Sequence, residues 1–176
     1  MTSPSQRLRP VVSNSSPLIH LARISRLELL QELFQEVVIP PAVYREVVVE
    51  GRGKPGADLV QSASWIKVEQ LRDQALKRSL TLILDEGEAE AIALAVEKRA
   101  ELVLLDEREA RVIAKRLGLK VTGTLGVIVK AKRLNLLNSV KEELEKLKAT
   151  GFRIAPELEE LVLEAAGERV DQQLES

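Results

Sequence analysis

Residues 85–107, DEGEAEAIALAVEKRAELVLLDE, read as a helix followed by a strand. Asp85 is a suitable N-cap, and Ala91, Ile92, Ala95 and Val96 then recur at helical spacing. Arg99 to Glu101 form a short polar break before Leu102 to Leu105. That continuous apolar run is what a strand buried on both faces of a parallel sheet requires. It stops abruptly at Asp106 and Glu107. Ligands of open parallel sheets sit outside the carboxyl ends of the strands, so Asp106 stands where chemistry is expected. Glu88 lies at the head of the preceding helix, on the side of Ala91, Ile92 and Ala95, and leans toward the sheet. Two carboxylates far apart in sequence are thereby expected to meet at one end of it.

The flanking chain repeats the alternation of strand and helix. Val11 to Ser13 is a short strand ended by Asn14, and Ser16–Pro17 starts a helix with proline at its first position. A second helix is expected over Leu27 to Phe34 and a second apolar strand over Val37 to Ile39. Pro41 begins a helix that turns Val43, Tyr44, Val47 and Val48 inward and carries Glu46. GRGKPG, residues 51–56, is a loop, followed by a short helix over Ala57 to Ser62 and an edge strand near Trp65 to Val68. Arg72 to Leu84 reads as a helix, possible to break near Ser79. After Asp106 come a helix from Glu109 to Leu117, a strand Lys120 to Thr122, and a helix from Leu125 to Leu134. Arg108, Arg111 and Lys115 share one face of the first of these. The pattern predicts an α/β fold, a three-layer α/β/α sandwich on a mainly parallel sheet, plus C-terminal helices. Its core is expected over 11–138, with 139–176 as a charged helical extension of the same domain. Ser139 caps one helix there; Leu158, Leu161, Val162 and Ala165 give the last one an apolar stripe suited to covering the core or meeting another subunit. A homo-oligomer is expected on that ground.

Composition removes most kinds of catalysis. The chain has no cysteine, so thiol nucleophiles and thiolate metal sites are excluded. His20 is the only histidine, so a two-histidine nuclease cannot be built within one chain. In PLIHLARI it reads as a structural residue rather than a base. Lys and Arg number 26 against 27 Asp and Glu, so nucleic acid would have to be held by local basic patches. With aromatics at 2%, there is no stacking platform for bases. No signal peptide or membrane span is visible, which makes a cytoplasmic protein the expectation. A hydrolase of this composition must work with carboxylates and a hard divalent cation.

VVSNSSPLIHLARISRLELLQELFQEVVIPPAVYREV resembles the opening of PIN-domain proteins, and LDEGEAEAIALA, LVLLDEREAR and VTGTLGVIVKAKR resemble later motifs of one branch. That branch, often left uncharacterised, sits beside small antitoxin-like genes. The four motifs fall in the right order and cover most of residues 11–135. The resemblance implies an α/β/α sandwich and a metal-dependent ribonuclease, of the kind found as toxins in type II toxin–antitoxin pairs. It places the acids of the site, by motif, on Asn14, Glu46, Glu88 and Asp106, with Ser16 matching a hydroxyl just after the first. Asp106, Glu88 and Asn14 would then hold Mg2+ or Mn2+. The chain departs from the pattern twice: Asn14 is a neutral amide in place of an acid, and Glu88 replaces the commoner Asp.

Each of these residues also has a plain structural reading. Asp106 can be a turn former or the N-cap of the helix near Glu109. Asp85 and Glu88 form D-x-x-E, close to a capping box in which Glu88 bonds back to the Asp85 backbone. Glu46 on its own is a solvated helix residue, and Asn14 suits a tight turn. Glu90 and Glu107 are expected to be solvated. The Arg108, Arg111 and Lys115 face is an ordinary solvated face, or a seat for a phosphate backbone beside Asp106. The leading reading is a metal-dependent ribonuclease acting on RNA, with a cognate antitoxin as possible partner and no membrane association. The alternatives are a PIN-like fold that binds RNA or protein without cutting, and a phosphotransfer domain using Asp106. The absence of an Asp-x-Asp strand end weighs against the last.

Overall fold

The computed structural model describes residues 9–168. Its centre is a five-stranded sheet in the order β3-β2-β1-β4-β5. The strands are β1 (Val11–Ser13), β2 (Val37–Ile39), β3 (Ile66–Val68), β4 (Leu102–Leu104) and β5 (Val121–Thr122). All four pairings are parallel, with Val12 opposite both Val38 and Val103. Every residue of β1 and β2 is buried, which is why these short segments carry no polar alternation. The chain runs outward from β1 through β2 to β3, then returns to the other side of β1 as β4. The topological switch therefore lies between β1 and β4, and its carboxyl end is where a ligand crevice forms.

Among the described residues ten α-helices connect and cover the strands: α1 (Ser15–Arg23), α2 (Leu29–Phe34), α3 (Pro41–Tyr44), α4 (Ala57–Ser62), α5 (Ala75–Leu80), α6 (Glu86–Glu97), α7 (Arg108–Arg116), α8 (Thr124–Arg133), α9 (Val140–Ala149) and α10 (Pro156–Ala165). Helix α6 packs on β1 and β4 and gathers α3, α5 and α7 about it, while α8 gathers α1, α2, α9 and α10. These groups and the sheet make the three-layer α/β/α sandwich. Helix α6 is buried almost all round from Gly87 to Ala95, with Ala89, Ala91, Ile92, Leu94 and Ala95 fully buried. Its start is the expected capping box: Glu88 N–H donates to Asp85 Oδ1 at 2.8 Å, and Asp85 N–H donates to Glu88 Oε2 at 3.3 Å.

Three local readings are corrected. The segment expected as a helix over 72–84 is helical only at Ala75–Leu80; turns through Thr81 and Leu82 then lead to the Asp85 cap. Glu90, expected in solvent, is buried, because its carboxylate receives Ala42 N–H at 3.2 Å and Lys77 Nζ at 2.6 Å. It thereby satisfies a free N–H at the start of α3. The N-cap of α7 is Glu107, not Asp106.

The C-terminal helices are joined to the core. Val140, Leu144 and Leu147 of α9 are fully buried, each contributing about 2 kcal/mol by burial. Glu143, on the same side, pairs with Arg26 at 2.8 Å. Burial alone would raise its pKa, but the hydrogen bonds from Arg26 and Lys146 outweigh that and hold it low. Residues 169–176, the polar tail beyond α10, lie outside the described residues.

Candidate active site

Asn14 directly follows β1, and its N–H donates to Leu104 O at 3.0 Å, which ties the ends of the two central strands together. It occupies the N-cap of α1, yet its side chain caps nothing. Its Oδ1 is buried and has no hydrogen-bond partner among the described residues. A buried carbonyl oxygen left in this state is costly and calls for a ligand.

Two more oxygens face the same point. A Cβ added to Gly87 would stand 3.1 Å from Glu46 Oε2, 3.3 Å from Asn14 Oδ1 and 3.7 Å from Asp85 Oδ1. Glycine at this position leaves open a small cradle bounded by one amide and two carboxylate oxygens. Glu46 reaches it from an unusual backbone. Helix α3 widens into a π-helical turn over Arg45–Val49, closed by Glu50 N–H to Arg45 O at 2.8 Å. Such a turn inserts a residue and re-aims the side chains on it. Glu46 Oε2 is then steadied by the Ser15 hydroxyl at 3.0 Å. The hydroxyl that bonds to Glu46 is that of Ser15, one residue before the expected Ser16. Glu90, by pinning the start of α3 to α6, holds the two walls of the cradle in register.

Asp106 emerges beside it from β4, in a different condition. Its Oδ1 receives Thr124 N–H at 2.7 Å and its Oδ2 receives the Thr124 hydroxyl at 2.8 Å. Thr124 is the first residue of α8, so Asp106 caps that helix from outside and its charge faces the positive helix end. The approach needs Gly123: a Cβ there would fall 2.6 Å from Asp106 Oδ1 and 2.8 Å from Arg111 Nη1. Arg111 in turn donates to Leu105 O at 3.0 Å. Glu88 is at the same end of the sheet, among Asp85, Glu107 and Glu109. Burial first, and then the neighbouring Asp85, push its pKa above the usual carboxylate value.

His20, read from sequence as structural, faces the site. Its Nε2 lies 3.9 Å from Asp106 Oδ2, and its ring meets the edge of Phe152 at 4.8 Å between centroids. Burial lowers its pKa, against an opposing pull from Asp106. Arg108 and Arg111 border the cavity at Asp106, whereas Lys115 is exposed in the last turn of α7 and does not line it.

The expected quartet is thus divided. Asn14 and Glu46 meet around Gly87 together with Asp85, which sequence reasoning treated only as a cap. Glu88 turns to the capping box and Asp106 to Thr124. Among the described residues no three Asp, Glu or His side chains are placed to share one ion. The donor set of the cradle is nevertheless all oxygen, with two formal charges and one orphaned amide, and this suits a hard divalent cation.

A parallel sheet with helices on both faces and acids at its central carboxyl edge defines a PIN-like nuclease fold. A family model described as DUF3368, a PIN domain, matches residues 10–168, and the chain belongs to this PIN-domain family. A solved structure of a PilT N-terminus domain protein, SSO1118 from the hyperthermophilic archaeon Sulfolobus solfataricus P2, is similar with a TM-score of 0.54 and 19% identity. The match covers 69% of this chain and 92% of that one, and shows the shared fold. No curated protein matches the chain. Among the described residues no helix is long and apolar enough to cross a membrane.

Proposed function

We propose that this protein is a metal-dependent ribonuclease of the PIN type, hydrolysing RNA phosphodiesters. The observation that carries the reading is the orphaned Asn14 Oδ1, buried beside Glu46 and Asp85 at the switch point of the sheet. Asn14, Glu46 and Asp85 would hold Mg2+ or Mn2+, which when bound polarises a phosphoryl oxygen and lowers the pKa of a bound water. Asp106 and Glu88 flank that position. Glu88, whose proton affinity is raised, is suited to accept or orient the proton of an attacking water. Asp106, fixed through both oxygens, orients what lies next to it. The motifs shared with the toxin-like branch support a role as the toxin of a toxin–antitoxin pair, with a cognate antitoxin and self-association as further parts of the proposal.

A second reading has its own observation. Asn14 lacks a charge, and both Asp106 oxygens are engaged by Thr124. A chain so arranged can bind RNA or protein without cutting. A single-stranded RNA panel incubated with Mg2+, Mn2+ or chelator decides between them. Under the first reading, cutting requires metal and falls at least about 100-fold in Asp106→Asn, the scale of a reacting group displaced from its productive geometry. Cutting by neither protein supports the second.

A further inference from the structure

The outer face of α10 is built in two stripes. Leu158, Leu161 and Ala165 recur at helical spacing and line a cavity of about 850 Å3 at whose head Asp106 stands. Val162 and Leu163 of the same helix are buried, but Leu158 and Leu161 stay 43% and 61% exposed. Glu157, Glu160 and Glu164 form an acidic stripe beside them, one step round the helix. Helix α10 carries no cation to balance it. Its remaining acid, Glu159, is taken by Lys148 at 2.7 Å. The opposite wall has the other sign. Arg108, the first residue of α7, and Arg153, in the loop before α10, border the cavity and are exposed. Among the described residues neither these two arginines nor the three acids of the stripe enter an ion pair.

We propose that this face is one half of a two-fold interface, in which α10 of a second copy of the chain lies in the cavity. The inference deepens the self-association proposed above by giving it a surface, and it does not depend on cleavage. A two-fold contact needs both members of every match on one chain. Here both are present. The leucine stripe of one copy meets that of the other, and the acidic stripe of each meets Arg108 and Arg153 of its partner. Docking removes the exposed leucines from water and gives five unpaired charges opposite partners. With 26 Lys and Arg against 27 Asp and Glu, approaching copies meet no general repulsion. The second copy closes the side of Asp106 that faces α10. It leaves the oxygen cradle accessible, since none of Asn14, Glu46 and Asp85 lines the cavity and Glu46 is exposed.

The experiment is sedimentation equilibrium of the full chain in EDTA over a concentration series. The parent should approach twice the monomer mass as concentration rises. Every residue counts twice in a two-fold contact, so Leu161→Glu, at an exposed position that does not threaten the fold, should weaken association at least about 100-fold. Arg108→Glu with Arg153→Glu should weaken it at least about tenfold, and so should Glu160→Lys with Glu164→Lys, because each leaves like charges opposed. The new charges at the start of α7 and the end of α10 suit those helix ends, so both double variants should fold. Mixed in equal amounts, they should associate as tightly as the parent, because each then supplies the sign the other lacks. A parent that dimerises equally well in every variant would overturn the surface and leave self-association standing. A parent that stays monomeric at the highest attainable concentration would overturn both, and capture of an unrelated acidic amphipathic peptide by that monomer would give the cavity to a different partner. Failure of the mixture to recover would remove the charge match on which the proposal stands.

Discussion

The two halves of the site end adjacent parallel strands, yet they are finished differently. At the end of β1, Asn14 Oδ1 is buried with no partner, and Glu46 and Asp85 face the same gap at Gly87. At the end of β4, Asp106 has a donor on each oxygen, and Gly123 lets α8 close upon it. An oxygen with its hydrogen bonds complete is part of the scaffold and holds its place without a ligand. A buried oxygen that no protein donor reaches is stable only when something else pairs with it. Under the proposed reading the contrast, which rests on Asn14, gives cation binding to the β1 half and rigidity to the β4 half.

The largest effect expected is from Asn14→Asp. It keeps an oxygen at the same place and adds a unit of negative charge to the cradle. Divalent cation affinity should rise on the order of tenfold to a hundredfold, while stability in chelator should fall because three carboxylates then repel one another. Calorimetric titration with thermal melts reads both. Unchanged affinity would remove Asn14 from the cradle.

A smaller effect tests the other half. Thr124→Val removes the hydroxyl donor to Asp106 Oδ2 and keeps the backbone donor to Oδ1. It should cost about 1.5 kcal/mol, the scale of one hydrogen bond to a charged group, and leave cation affinity at the cradle unaltered. A shift in that affinity would mean that the two halves act as one.

Glu88→Gln gives the smallest change, and its sign depends on pH. The folded-state pKa of Glu88 is raised by burial above its unfolded value. Keeping it ionised therefore opposes folding fully above the folded pKa, and the penalty disappears as pH falls through that value and below about 4.5. In chelator, the variant should be slightly more stable than the parent at neutral pH and no more stable in acid. A difference that grows on acidification would contradict the burial assignment.

Much of the scaffold could be read from local pattern. Val11–Val12 and Val37–Ile39 are short apolar segments closed by polar or proline residues, and the Asp85–Glu88 box has a fixed spacing, so both follow from short-range rules. What escaped depends on contacts across the fold. Glu90 is buried because Lys77 and the Ala42 N–H reach it from other elements. Asp106 caps α8 rather than α7 because β5 returns the chain alongside β4, which no spacing near Asp106 reveals. Asp85 was accounted for by its cap, and so the approach of its capping oxygen, Oδ1, to Gly87 went unseen. The single-residue difference between Ser15 and Ser16 depends on where α1 leaves the strand, and the π-helical turn that aims Glu46 has no sequence signature of its own.

Titration of Mn2+ into the parent and Gly87→Ala, side by side in the calorimeter, tests the central assignment most directly. The added methyl meets the far ends of two flexible side chains, so the fold can accommodate it, and replacing glycine within a helix should stabilise the protein by about 0.5–1 kcal/mol. The methyl nevertheless occupies the space around which Asn14, Glu46 and Asp85 stand. The account predicts one Mn2+ bound by the parent and, in Gly87→Ala, a higher melting temperature with affinity reduced at least about tenfold, as a cation that has lost oxygen ligands requires. Equal affinity in the two proteins, or no binding by the parent, would contradict it.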